Sequence, residues 1–321
     1  MTTMRAMTMT VPGGPDVLEL AEIERPTRIG SEVLVKVMAA GVNPIDSTTR
    51  SGQGAFGGAL TMPIVLGNDF SGIVVEAAYA AHPLQPGTEV YGMGMVPRLS
   101  GAYAEYVSVS ALSLVHKPSR LSHVEAAGVP LAALTAWGMV VETAKAHEGQ
   151  RMLVNAGAGG VGHFAVQFAA YFGAHVIATG STRNLRWLRE LGASDVIDHS
   201  ITRFEDAVAD VDVVIDLVGN AIDHTSSRSL GVLRPGGLIV SAPAESWPHM
   251  LEEAEVAGVR ATGFQVAPDG STLAIISRLL ESGDVKVFVD RVFDLERAAD
   301  AHRHIEEGHT RGKIVLKVCE G

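Results

Sequence analysis

The stretch Leu153-Val154-Asn155-Ala156-Gly157-Ala158-Gly159-Gly160-Val161-Gly162-His163 constrains the fold more than any other part of the chain. Gly157, Gly159 and Gly162 follow an apolar run that reads as a strand, and they open a segment whose apolar positions, Val161, Ala165, Val166 and Phe168, read as a helix. A strand that becomes a helix over backbone without Cβ atoms presents helix N–H groups to an anion, an arrangement suited to a dinucleotide pyrophosphate. Such glycines also pack a helix closely on a strand. The nucleotide reading therefore rests on context, because this turn stands at the first strand of a β/α series.

The series reads as strands at 152–155, 175–179, 195–198, 212–217, 238–241 and 259–264, with helices at 161–172 and 185–191. Strands spaced by helices of this length imply right-handed crossovers and a parallel, doubly wound sheet. The first third of the chain reads differently, as short strands at 32–39, 73–76 and 103–109. Turn residues punctuate them: Gly41, Asn43 and Pro44 after the first, Pro86-Gly87 between the others. After Pro268 come an amphipathic helix and then strands at 285–293 and 313–318 flanking a helix at 295–307, a tail that matches the opening region. The expected fold is α/β. A β-rich domain (residues 1–125 and 268–321) receives a dinucleotide-binding domain (126–267) as an insertion near its C-terminal part, with a cleft between them, and 321 residues suit two domains.

Composition narrows the function. A net charge of −11 with only 5% aromatic residues disfavours nucleic-acid and anionic-membrane binding. The single cysteine, Cys319, excludes a disulfide framework and a multi-thiolate metal site, and it fits a reducing cytoplasm. No signal peptide is read at the N-terminus. The apolar run 126–141 is broken by Gly128, Pro130 and Gly138 and is shorter than the ~20 residues of a membrane helix, so it is expected in the core.

The end of the second strand of the series speaks to cofactor choice. An acidic side chain there binds the ribose 2′-hydroxyl of NADH. This chain has Thr179-Gly180-Ser181-Thr182-Arg183-Asn184 instead, and a guanidinium suits the 2′-phosphate of NADPH. Arg183, Arg186 and Arg189 can equally form a solvated helix face.

The chain resembles the zinc-free quinone oxidoreductases, the ζ-crystallin-like branch of the medium-chain dehydrogenase/reductase superfamily. The resemblance spans nearly the whole sequence. It is carried by Ala40-Gly41-Val42-Asn43-Pro44-Ile45-Asp46, Arg50-Ser51-Gly52, Leu66-Gly67-Asn68-Asp69-Phe70-Ser71-Gly72, Gly101-Ala102-Tyr103-Ala104-Glu105-Tyr106, Leu134-Thr135-Ala136-Trp137, the glycine turn and Gly312-Lys313-Ile314-Val315. It implies a GroES-like domain with a Rossmann domain, a homodimer, and hydride transfer from NADPH to quinones or activated alkenes. Asn43, Asp46 and Arg50 are the implied catalytic residues. Implied cofactor contacts are Thr135, Ala156, Gly157, Gly159, Gly160, Val161, Gly162, Ser181, Arg183, Val218, Gly219, Ser241 and Lys313. Turn formation by Asn43, surface pairing by Asp46 and Arg50, and helix capping by Thr135 are the structural alternatives. Where many relatives have a tyrosine two residues before Arg-Ser-Gly, this chain has Thr48, so no tyrosine proton donor is expected there and water is the expected source of the final proton.

Zinc relatives of this superfamily carry a cysteine and a Gly-His-Glu where this chain has Asn43-Pro44-Ile45-Asp46 and Gly67-Asn68-Asp69, so no metal is expected. His302, His304 and His309 are expected to face solvent, since His302 and His304 point to different sides of a helix. A non-catalytic NADPH-binding, crystallin-like protein is the alternative function. A methyltransferase is disfavoured by the β-rich partner segments and the missing acid, and no Gly-x-Ser-x-Gly supports a serine hydrolase. Loops 51–62 and 247–250 are expected to shape the substrate pocket, and 259–264 is the expected dimer edge.

Overall fold

The computed structural model describes residues 2–53, 62–94 and 101–319. Of the loop 51–62, residues 54–61 therefore lie outside the described residues. The chain divides into two compact units, residues 1–134 with 267–321 and residues 135–266.

The unit 135–266 is built on six parallel strands in the spatial order Asp195–Asp198, His175–Gly180, Arg151–Val154, Val211–Asp216, Leu233–Ser241, Arg260–Gly263. In chain order this is 3-2-1-4-5-6, the doubly wound arrangement, and the direction of winding reverses between Arg151–Val154 and Val211–Asp216. In open doubly wound sheets, ligands bind outside the carboxyl ends of the strands at such a reversal. Leu153, Val154, Val214, Ile215, Ile239 and Val240 are all buried, as near-continuous apolar runs require in a sheet covered on both faces. The helix Gly162–Tyr171 buries all but its last two residues, and Trp137 packs edge-on against its Phe168 at 5.3 Å. The strand Leu233–Ser241 begins five residues earlier than the sequence suggests. Its Pro235-Gly236 step, with Gly236 at φ 70°, is absorbed by a register shift against the neighbouring strand.

The other unit holds a seven-stranded sheet centred on the long strand Glu32–Val42. That strand pairs antiparallel with Asp69–Glu76, with Tyr106–Ser110 and with Lys313–Lys317 from the tail. Val289–Asp294, Glu89–Met93 and Leu114–His116 complete the sheet. A three-stranded sheet is formed by Glu19–Glu24, Thr3–Met9 and Ile64–Val65. Val33, Val35, Val37, Phe70, Tyr103 and Leu316 share one core. The tail thus rejoins the opening region through backbone pairing. The run 126–141 is core, divided among His123–Ala127, Pro130–Trp137 and a wider turn at Gly138–Thr143. No helix among the described residues is long and apolar enough to cross a membrane.

Candidate active site

The glycine turn follows the strand Arg151–Val154 at its carboxyl end, and each glycine meets a different constraint. A Cβ on Gly162 would lie 2.2 Å from the Ala156 carbonyl oxygen, and one on Gly157 would lie 3.0 Å from Ala178 Cβ and 3.2 Å from Leu188 Cδ2. Both glycines are demanded by the protein's own packing. A Cβ on Gly159 meets only the Ala156 oxygen, at 3.3 Å, so this glycine borders open space. Ala156 sits at φ 53°, and Thr179 fixes it there by accepting the Ala156 N–H on Oγ1 (2.9 Å) and the Gly157 N–H on its carbonyl (2.9 Å). His163 Nδ1 is 3.0 Å from the Gly159 carbonyl oxygen; a carbonyl only accepts, so Nδ1 carries the proton. The turn is therefore pinned from both ends. Its open face at Gly159, beside the start of the helix Gly162–Tyr171, fits a dinucleotide pyrophosphate.

Val218, Gly219 and Ser241 are brought together by one residue that the sequence reading passed over. Asp216, fully buried at the end of its strand, accepts the N–H groups of Val218 (3.1 Å) and Gly219 (3.2 Å) and the hydroxyls of Ser226 (2.6 Å) and Ser241 (2.7 Å). Four donors thus converge on its two oxygens. An acid ending an apolar strand, Val213-Val214-Ile215-Asp216, was the available signal.

After the strand His175–Gly180, Ser181 is half-buried and its hydroxyl accepts from Asn184 Nδ2 at 3.2 Å, while Arg183 is exposed. Arg186 is exposed and paired with Glu190 at 2.9 Å, a solvated helix pair. An acid does stand nearby, contributed by the adjacent strand: Asp198 is level with Gly180. Ser200, then Thr182, donate hydroxyls to its carboxylate and hold it below the usual carboxylate range. Thr135 lies within the helix Pro130–Trp137 rather than at a cap, and it is buried.

The β-rich unit gathers Asn43, Asp46, Arg50 and Lys313 into one buried polar cluster with Asp69, Tyr103 and His302. Register does the assembling, because Gly41 pairs with Asp69 and Val42 with Ile314. The motif glycines make the room. A Cβ on Gly41 would lie 2.8 Å from Asp69 Cβ and 2.4 Å from the Ala127 oxygen, and one on Gly67, at φ 95°, would lie 2.4 Å from the Tyr103 ring. Asn43 caps the helix Pro44–Arg50, and its N–H donates to Asp46 Oδ2 at 2.9 Å. Its amide Nδ2 donates to Asp69 Oδ2 at 2.9 Å, and its Oδ1 accepts from Lys313 Nζ. The amide cannot flip, and its second proton has no acceptor among the described residues. Lys313 also donates to the Val42 carbonyl (3.1 Å) and lies 3.9 Å from Asp69, so this expected cofactor contact is the cation beside Asp69 in the cluster.

Burial decides the electrostatics. It raises Asp46 to about 7 against the opposing Asn43 N–H, raises Asp69, and lowers Lys313, whose charge the two carboxylates favour. Asp46 and Arg50 are 0% and 3% exposed; Arg50 pairs with the part-exposed Glu306 at 2.6 Å, whereas Asp46 makes no surface pair among the described residues. His302 corrects another expectation. It is fully buried, because the helix Ala298–Glu306 turns residues 298, 301 and 302 inward at one helical spacing, and burial with Arg50 beside it pushes the imidazole down to about 3. Thr48 is exposed and its hydroxyl returns to the Ile45 carbonyl (3.1 Å).

Comparison with known proteins places this geometry. Residues 30–119 match the alcohol dehydrogenase GroES-like domain, and residues 191–316 match the zinc-binding dehydrogenase family. The NADPH-dependent alkenal/one oxidoreductase of the Arabidopsis thaliana chloroplast is 35% identical, over 98% of this chain and 79% of its own length. The chain belongs to the quinone oxidoreductase branch of the medium-chain dehydrogenase/reductase superfamily. The 2-methylene-furan-3-one reductase of Solanum lycopersicum is likewise 35% identical over 98% of this chain and 79% of its own length. The structure of the quinone oxidoreductase from Coxiella burnetii superposes with a TM-score of 0.93 at 36% identity, covering 99% of this chain and all of that one. The units are thus a GroES-like and a Rossmann domain, and the protein is an oxidoreductase that uses a nicotinamide cofactor.

Proposed function

We propose that the protein is an NADPH-dependent, zinc-independent reductase that transfers hydride to quinones or α,β-unsaturated carbonyls. The observation that carries this reading is the glycine turn, in which Gly157 and Gly162 serve packing and Gly159 leaves its side open for the pyrophosphate. Ser181 and Arg183 support NADPH, and Asp198, the acid on the adjacent strand, is already held by Ser200 and Thr182. Zinc independence is supported by Asp46 and Asp69, whose carboxylates are committed to donors within the chain. The edge of Arg260–Gly263, which has no second strand partner among the described residues, supports a homodimer, since symmetric pairing covers such edges.

A nicotinamide cofactor, when bound, would supply the hydride. This chain's residues supply a place for the charge that builds on the carbonyl oxygen. Asn43, held against rotation by Asp69 and Lys313, aims its remaining amide proton in one direction, which is what a preorganised donor needs. Asp46 holds the Asn43 backbone and Arg50 closes the same helix, so both act through position.

The test is NADPH oxidation by the purified protein against small quinones, linear enones and simple aldehydes. Turnover of the first two classes is expected, and Asn43→Ala should lower kcat by up to about 10²–10³-fold with NADPH affinity unchanged. NADPH binding with no turnover of any class would instead favour the crystallin-like alternative.

A further inference from the structure

The buried cluster extends beyond Asn43 in a chain whose hydrogen bonds have a determinable direction. Arg50 is oriented by three acceptors: Nε donates to the Gly13 carbonyl (3.0 Å), Nη2 to Glu306 (2.6 Å), and Nη1 lies 3.2 Å from His302 Nδ1. A guanidinium only donates, so His302 Nδ1 carries the lone pair and the neutral ring carries its proton on Nε2. That nitrogen lies 3.2 Å from the Tyr103 oxygen, which it therefore serves as donor, and the phenol spends its own proton on Asp46 Oδ2, also at 3.2 Å. Ser47 Oγ, 3.3 Å from His302 Nδ1, adds a second donor at the same lone pair.

We propose that Arg50, His302 and Tyr103 are positioning residues: a one-way hydrogen-bonded chain that carries the polarity of the guanidinium to Asp46 and fixes that carboxylate as the acceptor holding Asn43. Tyr103 and His302 are locked in single protonation states by burial, the phenol far above and the imidazole well below their ordinary values. Asp46 alone in the chain is left to titrate near neutrality. The other charged groups facing it are Asp69, which opposes its ionisation, and Lys313, which favours it. The link from Asp46 to turnover rests on the reductase reading above; the chain itself does not.

The experiment is carbon-13 NMR titration of aspartate carboxyls in the full-length protein, with the Asp46 signal assigned by its loss in Asp46→Asn. Removing one donor with Tyr103→Phe should raise the Asp46 midpoint by about one pH unit, the equivalent of a single hydrogen bond. His302→Leu should raise it too, whereas His302→Gln, which offers both an acceptor and a donor, should leave it within a few tenths. This pair decides the matter if Tyr103→Phe fails to fold. An Asp46 midpoint equal in wild type, His302→Leu and His302→Gln would overturn the proposal. Turnover measured on the same samples keeps the two readings apart: absence of enone and quinone reduction in the wild type refutes the reductase, while the titration still decides the chain.

Discussion

Adding one methyl group at Gly162 or at Gly159 should produce opposite phenotypes. At Gly162 the new Cβ would stand 2.2 Å from the Ala156 oxygen and 2.8 Å from Gly157 Cα and carbonyl carbon, all backbone atoms. Relief requires the turn to move by about 1 Å, since comfortable carbon contacts begin near 3.5 Å. Alanine in a helix gains about 1 kcal/mol over glycine. Overpacking costs about 1–3 kcal/mol or more, and a clash with backbone belongs at the upper end. The net loss of about 1–2 kcal/mol should lower Tm by several degrees. At Gly159 the contact is 3.3 Å to a single oxygen and φ is not positive, so Gly159→Ala should melt within about 1–2 °C of wild type. Its methyl group would project into the open face of the turn. Loss of close approach by a phosphate should weaken NADPH at least about tenfold, or 1.4 kcal/mol. Thermal melting without ligand and fluorescence titration with NADPH measure both quantities on one preparation. Wild-type NADPH affinity in Gly159→Ala would refute the placement of the pyrophosphate, and an unchanged Tm in Gly162→Ala would refute the steric argument.

Arg183→Ala should weaken NADPH by about 10- to 100-fold, the worth of one charge-assisted bond, and leave NADH nearly unchanged; equal wild-type affinity for both cofactors would contradict this. Prolonged chelation should leave activity intact, with far less than one zinc per chain by elemental analysis. The pH dependence of stability should separate Asp46 from His302. Burial holds Asp46 up to about 7 when folded, so between about pH 4 and 7 the unfolded chain loses a proton that the folded chain keeps, and this group's contribution falls as pH rises. Burial holds His302 down to about 3, so between about pH 3 and 6.5 the unfolded chain gains a proton that the folded chain refuses, and stability falls as pH drops. Relative to wild type, Asp46→Asn should therefore gain in Tm as pH rises from 4 to 7, and His302→Gln should gain as pH falls from 6.5 to 4. Parallel Tm curves for the three proteins would refute both assignments.

The sequence by itself determined the six parallel strands and the glycine turn. Buried parallel strands are short apolar runs, a pyrophosphate turn needs glycine at fixed spacing, and both are local properties that three to twelve neighbouring residues express. Leu153 to Gly162 could therefore be read without knowing what lies beside it. The strands at 3–9, 19–24 and 89–93 were not read; the first two pair with each other, and Glu19–Glu24 has no buried residue and so carries no apolar run to mark it. The tertiary structure alone decided what the polar residues do. Asp46, Asp69 and Lys313 are hydrophilic in any linear reading, and only antiparallel register, with Gly41 opposite Asp69 and Val42 opposite Ile314, stacks them in one dry cluster. His302 stands two residues from a half-exposed histidine, so spacing could separate the two faces of its helix but not say which one was buried. Packing placed it under Arg50 and Tyr103, residues about 250 and 200 positions away, where the cost of burying a charge makes it a neutral link in the chain.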